Sequence, residues 1–117
     1  MANSATVSLV EQGNKQFGGA FSEMWTVTAT ITDQDAVAIT DTMAINLTVP
    51  GVALGDMVIG TSINMDHFDA DGDGAVIRAE VGSANTVNFI VTADAAAFAA
   101  DSITNAVVKI LVGRPAW

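Results

Sequence analysis

Cysteine is absent from this 117-residue chain, and basic residues are nearly so. Without cysteine there are no disulfides, no thiolate metal sites and no thiol catalysis, and the redox compartment is left open. Only Lys15, Arg78, Lys109 and Arg114 oppose thirteen acids, for a formal charge of -9. The four cations are scattered, and no patch can be made from sequence neighbours. Phosphate binding needs clustered cations, so the balance argues against nucleic acid and against anionic membranes as partners. No apolar run approaches the ~20 residues that span a bilayer. The opening Met-Ala-Asn-Ser-Ala-Thr lacks the basic region and apolar core of a secretory signal. The expectation is a protein made in a cytoplasm and used without processing. Helical periodicity of useful length, heptads, internal repeats and a second domain are missing as well.

Half of the residues are apolar but only 6% are aromatic, so the apolar fraction is mainly Ala, Val and Ile. Small and β-branched side chains suit thin, closely packed sheets. The clearest strand is Met24 to Thr32, where Trp25, Val27, Ala29 and Ile31 alternate with threonines. Met43, Ile45, Leu47 and Val49 alternate in the same way before Pro50-Gly51. Val87, Phe89 and Val91 do so within Thr86 to Thr92. Other strands are expected at Ala5 to Val10 (Val7 and Leu9 sharing a face), Met57 to Ile63, Ala75 to Val81 and Ala106 to Val112, with a short one at Ala36 to Ile39. Residues 11–22 read as a flexible loop and 113–117 as an extended tail. Asp94 to Asp101 reads as a loop or one helical turn. Seven to eight short strands separated by Gly, Asp, Asn and Pro turns predict an all-β protein. Residues 1–117 would form one antiparallel β-sandwich, with jelly-roll connections a natural way to join the strands. Phe17 and Phe21 in the loop, and the terminal Trp117, are large apolar residues outside the alternating pattern. They are candidate contacts to the core, to a sheet edge or to a neighbouring subunit.

Asp69 to Glu80 carries the most explicit chemistry. It matches the twelve-residue calcium pattern D-x-D-x-D-G-x5-E, with carboxylates on Asp69, Asp71 and Asp73, a turn at Gly74, the Ala75 carbonyl, and Glu80 to close the shell. Asp66 is a further candidate oxygen. The flanks contain no helix, however, and in a strand Glu80 would be out of reach. The competing reading, a solvated acidic turn leading into a strand, is favoured. His67 is the one histidine. A Ser-His-Asp site is not supported, because no G-x-S-x-G elbow accompanies it. Paired catalytic carboxylates and a phosphate-cradling glycine loop are also missing. No enzymatic activity is expected.

The segment Val49-Pro-Gly-Val-Ala-Leu-Gly-Asp-Met-Val-Ile-Gly and the later Gly-Ser-Ala-Asn-Thr-Val-Asn-Phe-Ile-Val resemble small structural proteins of tailed bacteriophages, among them capsid decoration, or cement, proteins. The likeness covers about Met43 to Val112. The insert His67 to Gly74 departs from the family pattern. The resemblance implies a β-sandwich that assembles as a homotrimer on the major capsid protein, at the outer surface of the virion, and braces the head. It carries no catalytic residues. A calcium-dependent binding module, of the fibre-head or carbohydrate-binding type, is the alternative.

Overall fold

A computed structural model of the chain describes residues 3–16, 19–64, 75–94 and 97–117; the side chains of residues 14–16 and 75 are outside the description. Seven strands account for its regular structure: β1 (Ser4–Gln16), β2 (Phe21–Asp33), β3 (Thr42–Thr48), β4 (Met57–Ile63), β5 (Ala75–Ser83), β6 (Thr86–Ala93) and β7 (Val107–Pro115). They form two antiparallel sheets, one in the order β1-β2-β7-β4 and the other β3-β6-β5. β2 pairs with β7 and β3 with β6, while β4 lies beside β5 and β1 beside β3 across the sandwich. The pairs β2–β7 and β3–β6 are thus nested in sequence, but β5 pairs with β6 and not with β4, so the jelly-roll ribbon expected from the strand count is not completed. β1 adds an edge strand to the four-stranded sheet.

The period-2 pattern sets the core. Trp25, Val27, Ala29 and Ile31 of β2 face Ile45 and Leu47 of β3 and Val87, Phe89 and Val91 of β6, with Val108, Ile110 and Val112 of β7 completing the layer. Burying each valine, leucine, isoleucine or phenylalanine of this layer is worth about 1.5–3 kcal/mol. Val49 and Val52, in the connection from β3 to β4, and Phe98 and Ile103, in the connection from β6 to β7, close the two ends of this cluster.

Several expectations are corrected. The loop expected over 11–22 is largely strand: β1 continues to Gln16 and β2 begins at Phe21, in register from Glu11↔Thr26 to Gln16↔Phe21. Polar side chains hid this strand because β1 is an edge, where backbone pairing to β2 holds the chain without burying alternate residues. Val7 and Leu9 do not share a face. A bulge between them inserts one residue, so Val7 and Val10 pack against the core while Leu9 points outward, 48% exposed. The tail begins later than expected, since β7 runs through Arg114 to Pro115, where only β2 remains as its neighbour. Ala36 to Ile39 is not a strand and contributes a single bridge, Val37↔Phe98. The described part of the Asp94 to Asp101 segment holds that bridge and turns, with no helix.

Thr40 stands at φ 69° in the turn before β3, with its N–H donating to the Ala93 carbonyl at 2.7 Å. A β-branched residue in left-handed backbone costs about 1 kcal/mol or more. Thr40→Asn, which tolerates that conformation, should stabilise the protein by about 0.5–1 kcal/mol and raise Tm by roughly 2–5 °C. Calorimetry of the variant checks this, and a lowered Tm would mean that the threonine side chain contributes more than its strain.

Candidate functional site

Three parts of the chain are candidates for chemistry or contacts: the acidic stretch of the sequence, an arginine cluster at one end of the sandwich, and the outer face of the four-stranded sheet. In the acidic stretch, Asp66, His67, Asp69, Asp71 and Asp73 lie outside the described residues. Ala75 is the first residue of β5 and pairs with Ala93. From there the chain runs extended, so Glu80 lies five residues on, about 17 Å away, exposed and opposite Asn88. Glu80 and the Ala75 carbonyl therefore cannot share one calcium shell, and the segment after Ala75 is a strand and not the helix of an EF-hand. Among the described residues, no group of three His, Asp or Glu side chains could hold a metal. A calcium site with a Kd one-hundredth of the calcium concentration would add about 2.7 kcal/mol of stability. We expect thermal unfolding with and without millimolar calcium to coincide; a rise of several degrees would establish a site in the acidic turn.

At the end of the sandwich where β3 leads into β4, Arg114 of β7 is held by two acids. Its Nε and Nη2 donate to the two carboxylate oxygens of Asp56, each at 2.9 Å. Its Nη1 donates to Glu23 Oε2 at 3.1 Å, and Nη2 also reaches the Gly51 carbonyl at 2.9 Å. The guanidinium lies 5.1 Å from the centre of the buried Trp25 ring, and Trp25 Nε1 donates to the Pro50 carbonyl. Asp56 additionally accepts the Ala53 N–H, while Asn85, at φ 62° in the β5–β6 turn, accepts the Gly51 N–H. Gly51 sits at φ 97°, and a Cβ there would come within 3.3 Å of Trp25 Nε1. The hydrogen bonds to Asp56, together with the charges of Asp56 and Glu23, raise the Arg114 pKa against a smaller opposing effect of burial. Two acids therefore converge here, but their oxygens are engaged by one arginine. The arrangement holds a loop in place rather than opening a carboxylate pair to a substrate. The Pro50 to Asp56 segment is this clamped loop, and Asn85 ties into it.

The outer face of the four-stranded sheet is different. The predicted contact residues Phe21 and Trp117 meet there: their ring centres are 5.7 Å apart and tilted by 60°, with the Ala116 N–H donating to the Ala20 carbonyl. Trp117 nonetheless stays 78% exposed. Phe17, the third predicted contact, lies outside the described residues. Beneath Phe21 is Gly113, where a Cβ would come within 2.6 Å of the Phe21 ring and 2.9 Å of Ile59, so these side chains pack directly on the backbone. Met57 and Ile59 of β4 are both more than 40% exposed, as is Leu9 of β1. A shallow depression of about 580 Å³ lies among Leu9, Thr26, Thr28, Gly60, Lys109 and Leu111. Sequence reasoning missed Leu9, Met57 and Ile59 as surface residues. The signal was present at β4, where Met57-Val58-Ile59 does not alternate and therefore offers apolar side chains to both faces.

Comparison with known protein families, characterised proteins and solved structures returns no match.

Proposed function

We propose that this chain is a non-enzymatic structural protein of a tailed-phage virion, a decoration protein that assembles as a trimer on the outside of the head and braces the major capsid protein. One observation carries the reading: of the exposed apolar residues, Leu9, Met57 and Ile59 share one sheet face, with Phe21 and Trp117 at its rim, while Ile39, Leu54 and Val76 are exposed elsewhere. A protein that works by contact needs such a face. The phage-like motifs support the reading from the sequence side, since their residues form the tight, clamped end of a small sandwich. The acidic surface suits attachment to basic patches of a shell.

Particles of a phage encoding this chain should contain it at a fixed ratio to the major capsid protein. Heads stripped of it should rebind the purified chain and recover resistance to heat or to chelators. Particles that lack the chain, or stripped heads that neither bind it nor regain stability, would overturn the proposal.

A further inference from the structure

We infer that two copies of this chain join along the free edge of β3, antiparallel, about a two-fold axis at Ile45. The inference goes beyond the reading above and does not rest on it, since a two-fold contact on a strand edge is separate from a three-fold one on a capsid. β3 is an outer strand of the sheet β3-β6-β5, so one of its sides has no neighbouring strand. At its two ends the Ala93 N–H donates to the Asp41 carbonyl and the Val49 N–H to the Asn85 carbonyl. Bonded pairs alternate along an antiparallel ladder, so between these ends Met43, Ile45 and Leu47 turn their backbone groups to β6. Thr42, Ala44, Asn46 and Thr48, all exposed, turn theirs to the open side, where no described residue bonds to them.

Such an edge is a template for another strand, and proteins normally blunt it with charge, proline or a bulge. The other edges here are blunted. β1 and β4 are bulged, and β5 is bulged and carries the exposed charges of Arg78 and Glu80. β3 holds no charge and no proline, and its ladder runs in unbroken register from Thr42↔Thr92 to Thr48↔Thr86.

The pattern of this edge selects a second copy. Outward from Ile45, Ala44 answers to Asn46, Met43 to Leu47 and Thr42 to Thr48, so the alternation is the same from either end. A dyad at Ile45 sets Met43 beside Leu47 and Ile45 beside its own counterpart, all on the core side. It also brings the open backbone groups of Ala44 to those of Asn46, and those of Thr42 to those of Thr48. Every open N–H and C=O then finds a partner, and no side chain changes face. The charge of -9 on each copy opposes approach from a distance, but the edge adds nothing to it. Asp41, the acid next to the edge, lies about 27 Å from its counterpart in this register, well past the ~10 Å screening length at 0.1 M salt. The dyad uses up both β3 edges, so association stops at a dimer. One strand edge of about 24 Å is less than a standard interface, and the dimer is accordingly weak, with a Kd on the order of 100 μM.

The test is sedimentation equilibrium and amide hydrogen exchange of the full chain from micromolar to millimolar concentration. Three variants accompany it: Asn46→Pro, Ala44→Lys with Asn46→Lys, and Ala44→Lys with Asn46→Glu. The proline removes an N–H on the open side and takes nothing from the β6 ladder. The double lysine sets like charges opposite each other across the dyad, and the lysine–glutamate pair sets opposite ones there. The unaltered chain should dimerise, more tightly as salt screens its charge. The Ala44 and Asn46 amides should gain protection with concentration, while the Ile45 amide is protected throughout. Asn46→Pro and the double lysine should weaken association roughly tenfold or more, the latter although it lowers the net charge, and the lysine–glutamate pair should keep it. Should Asn46→Pro fail to melt cooperatively, the two lysine variants decide. A chain that stays monomeric at millimolar concentration in high salt would overturn the inference, as would a double lysine that associates like the unaltered chain. A trimer in which the Ala44 and Asn46 amides exchange at the same rate at every concentration would end this contact and leave the capsid reading standing.

Discussion

Replacing Arg114 with leucine is expected to remove about 2–3 kcal/mol of stability, less than deleting one partner of a fully buried ion pair because the guanidinium itself is partly exposed. Asp56 is the reason. Its side chain is only 3% exposed, whereas those of Arg114 and Glu23 are each 34% exposed. Without the guanidinium, a carboxylate remains nearly out of water with one backbone N–H for company. The Gly51 carbonyl loses its donor, and the Trp25 ring loses the cation over its face. Arg114→Lys should recover only part of the loss, because an ammonium is a single point charge and cannot bind both Asp56 oxygens and Glu23 in one plane. Removing both partners, as Arg114→Leu with Asp56→Leu, should cost less than Arg114→Leu alone, since no buried charge is left behind. Urea unfolding of the three variants measures this order. A cost below about 1 kcal/mol for Arg114→Leu would show that the loop is fixed by its valines, Val49 and Val52, and not by the clamp. The pH dependence has a definite sign. A raised pKa means the arginine's contribution is complete at every pH below its unfolded value and is lost only as pH rises through the folded one. That window lies in strong alkali, so titration of Arg114 leaves stability flat through neutral pH.

Gln34→Leu should cost about 2–4 kcal/mol for a different reason: it orphans partners rather than a charge. Gln34 is completely buried. Its Nε2 donates to the carbonyls of Asp35 and, at 3.1 Å, Ala99, while Oε1 accepts from Ser102 Oγ and the Ile103 N–H. Its own N–H and carbonyl pair with Asp101, which holds φ 61°. This one side chain therefore fastens the β2–β3 connection to the β6–β7 connection, where neither offers a ladder. Leucine fills the space and satisfies nothing. Gln34→Glu should be worse at neutral pH, because a carboxylate cannot donate to Ala99 and adds a buried charge. Hydrogen exchange provides the local reading: the Ile103 amide should lose protection in both variants while the Val27 and Phe89 amides keep theirs. An Ile103 amide as protected in Gln34→Leu as in the parent would contradict the role given to Gln34.

Neither residue could be singled out from the sequence. Gln34 sits between two aspartates in what reads as a polar turn, and its partner Ala99 is 65 residues away. Arg114 reads as part of a tail, yet its acids lie 58 and 91 residues upstream. The metal candidates Asp69, Asp71 and Asp73 were explicit as text because calcium ligation is local. A clamp assembled from three distant segments leaves no such spacing.

What the sequence determined alone was the all-β class, the strands at Met24 to Thr32, Met43 to Val49 and Thr86 to Thr92, and which of their side chains face inward. Alternation with a period of two is a local property, and a sheet with one buried face must show it. Tertiary structure decided where alternation is absent or broken. Edge pairing made a strand of polar residues 11–16, and a bulge sent Leu9 outward. Continued pairing with β2 carried β7 through Arg114. Those outcomes depend on which strand lies alongside and in what register, and that is fixed only when the whole sandwich closes.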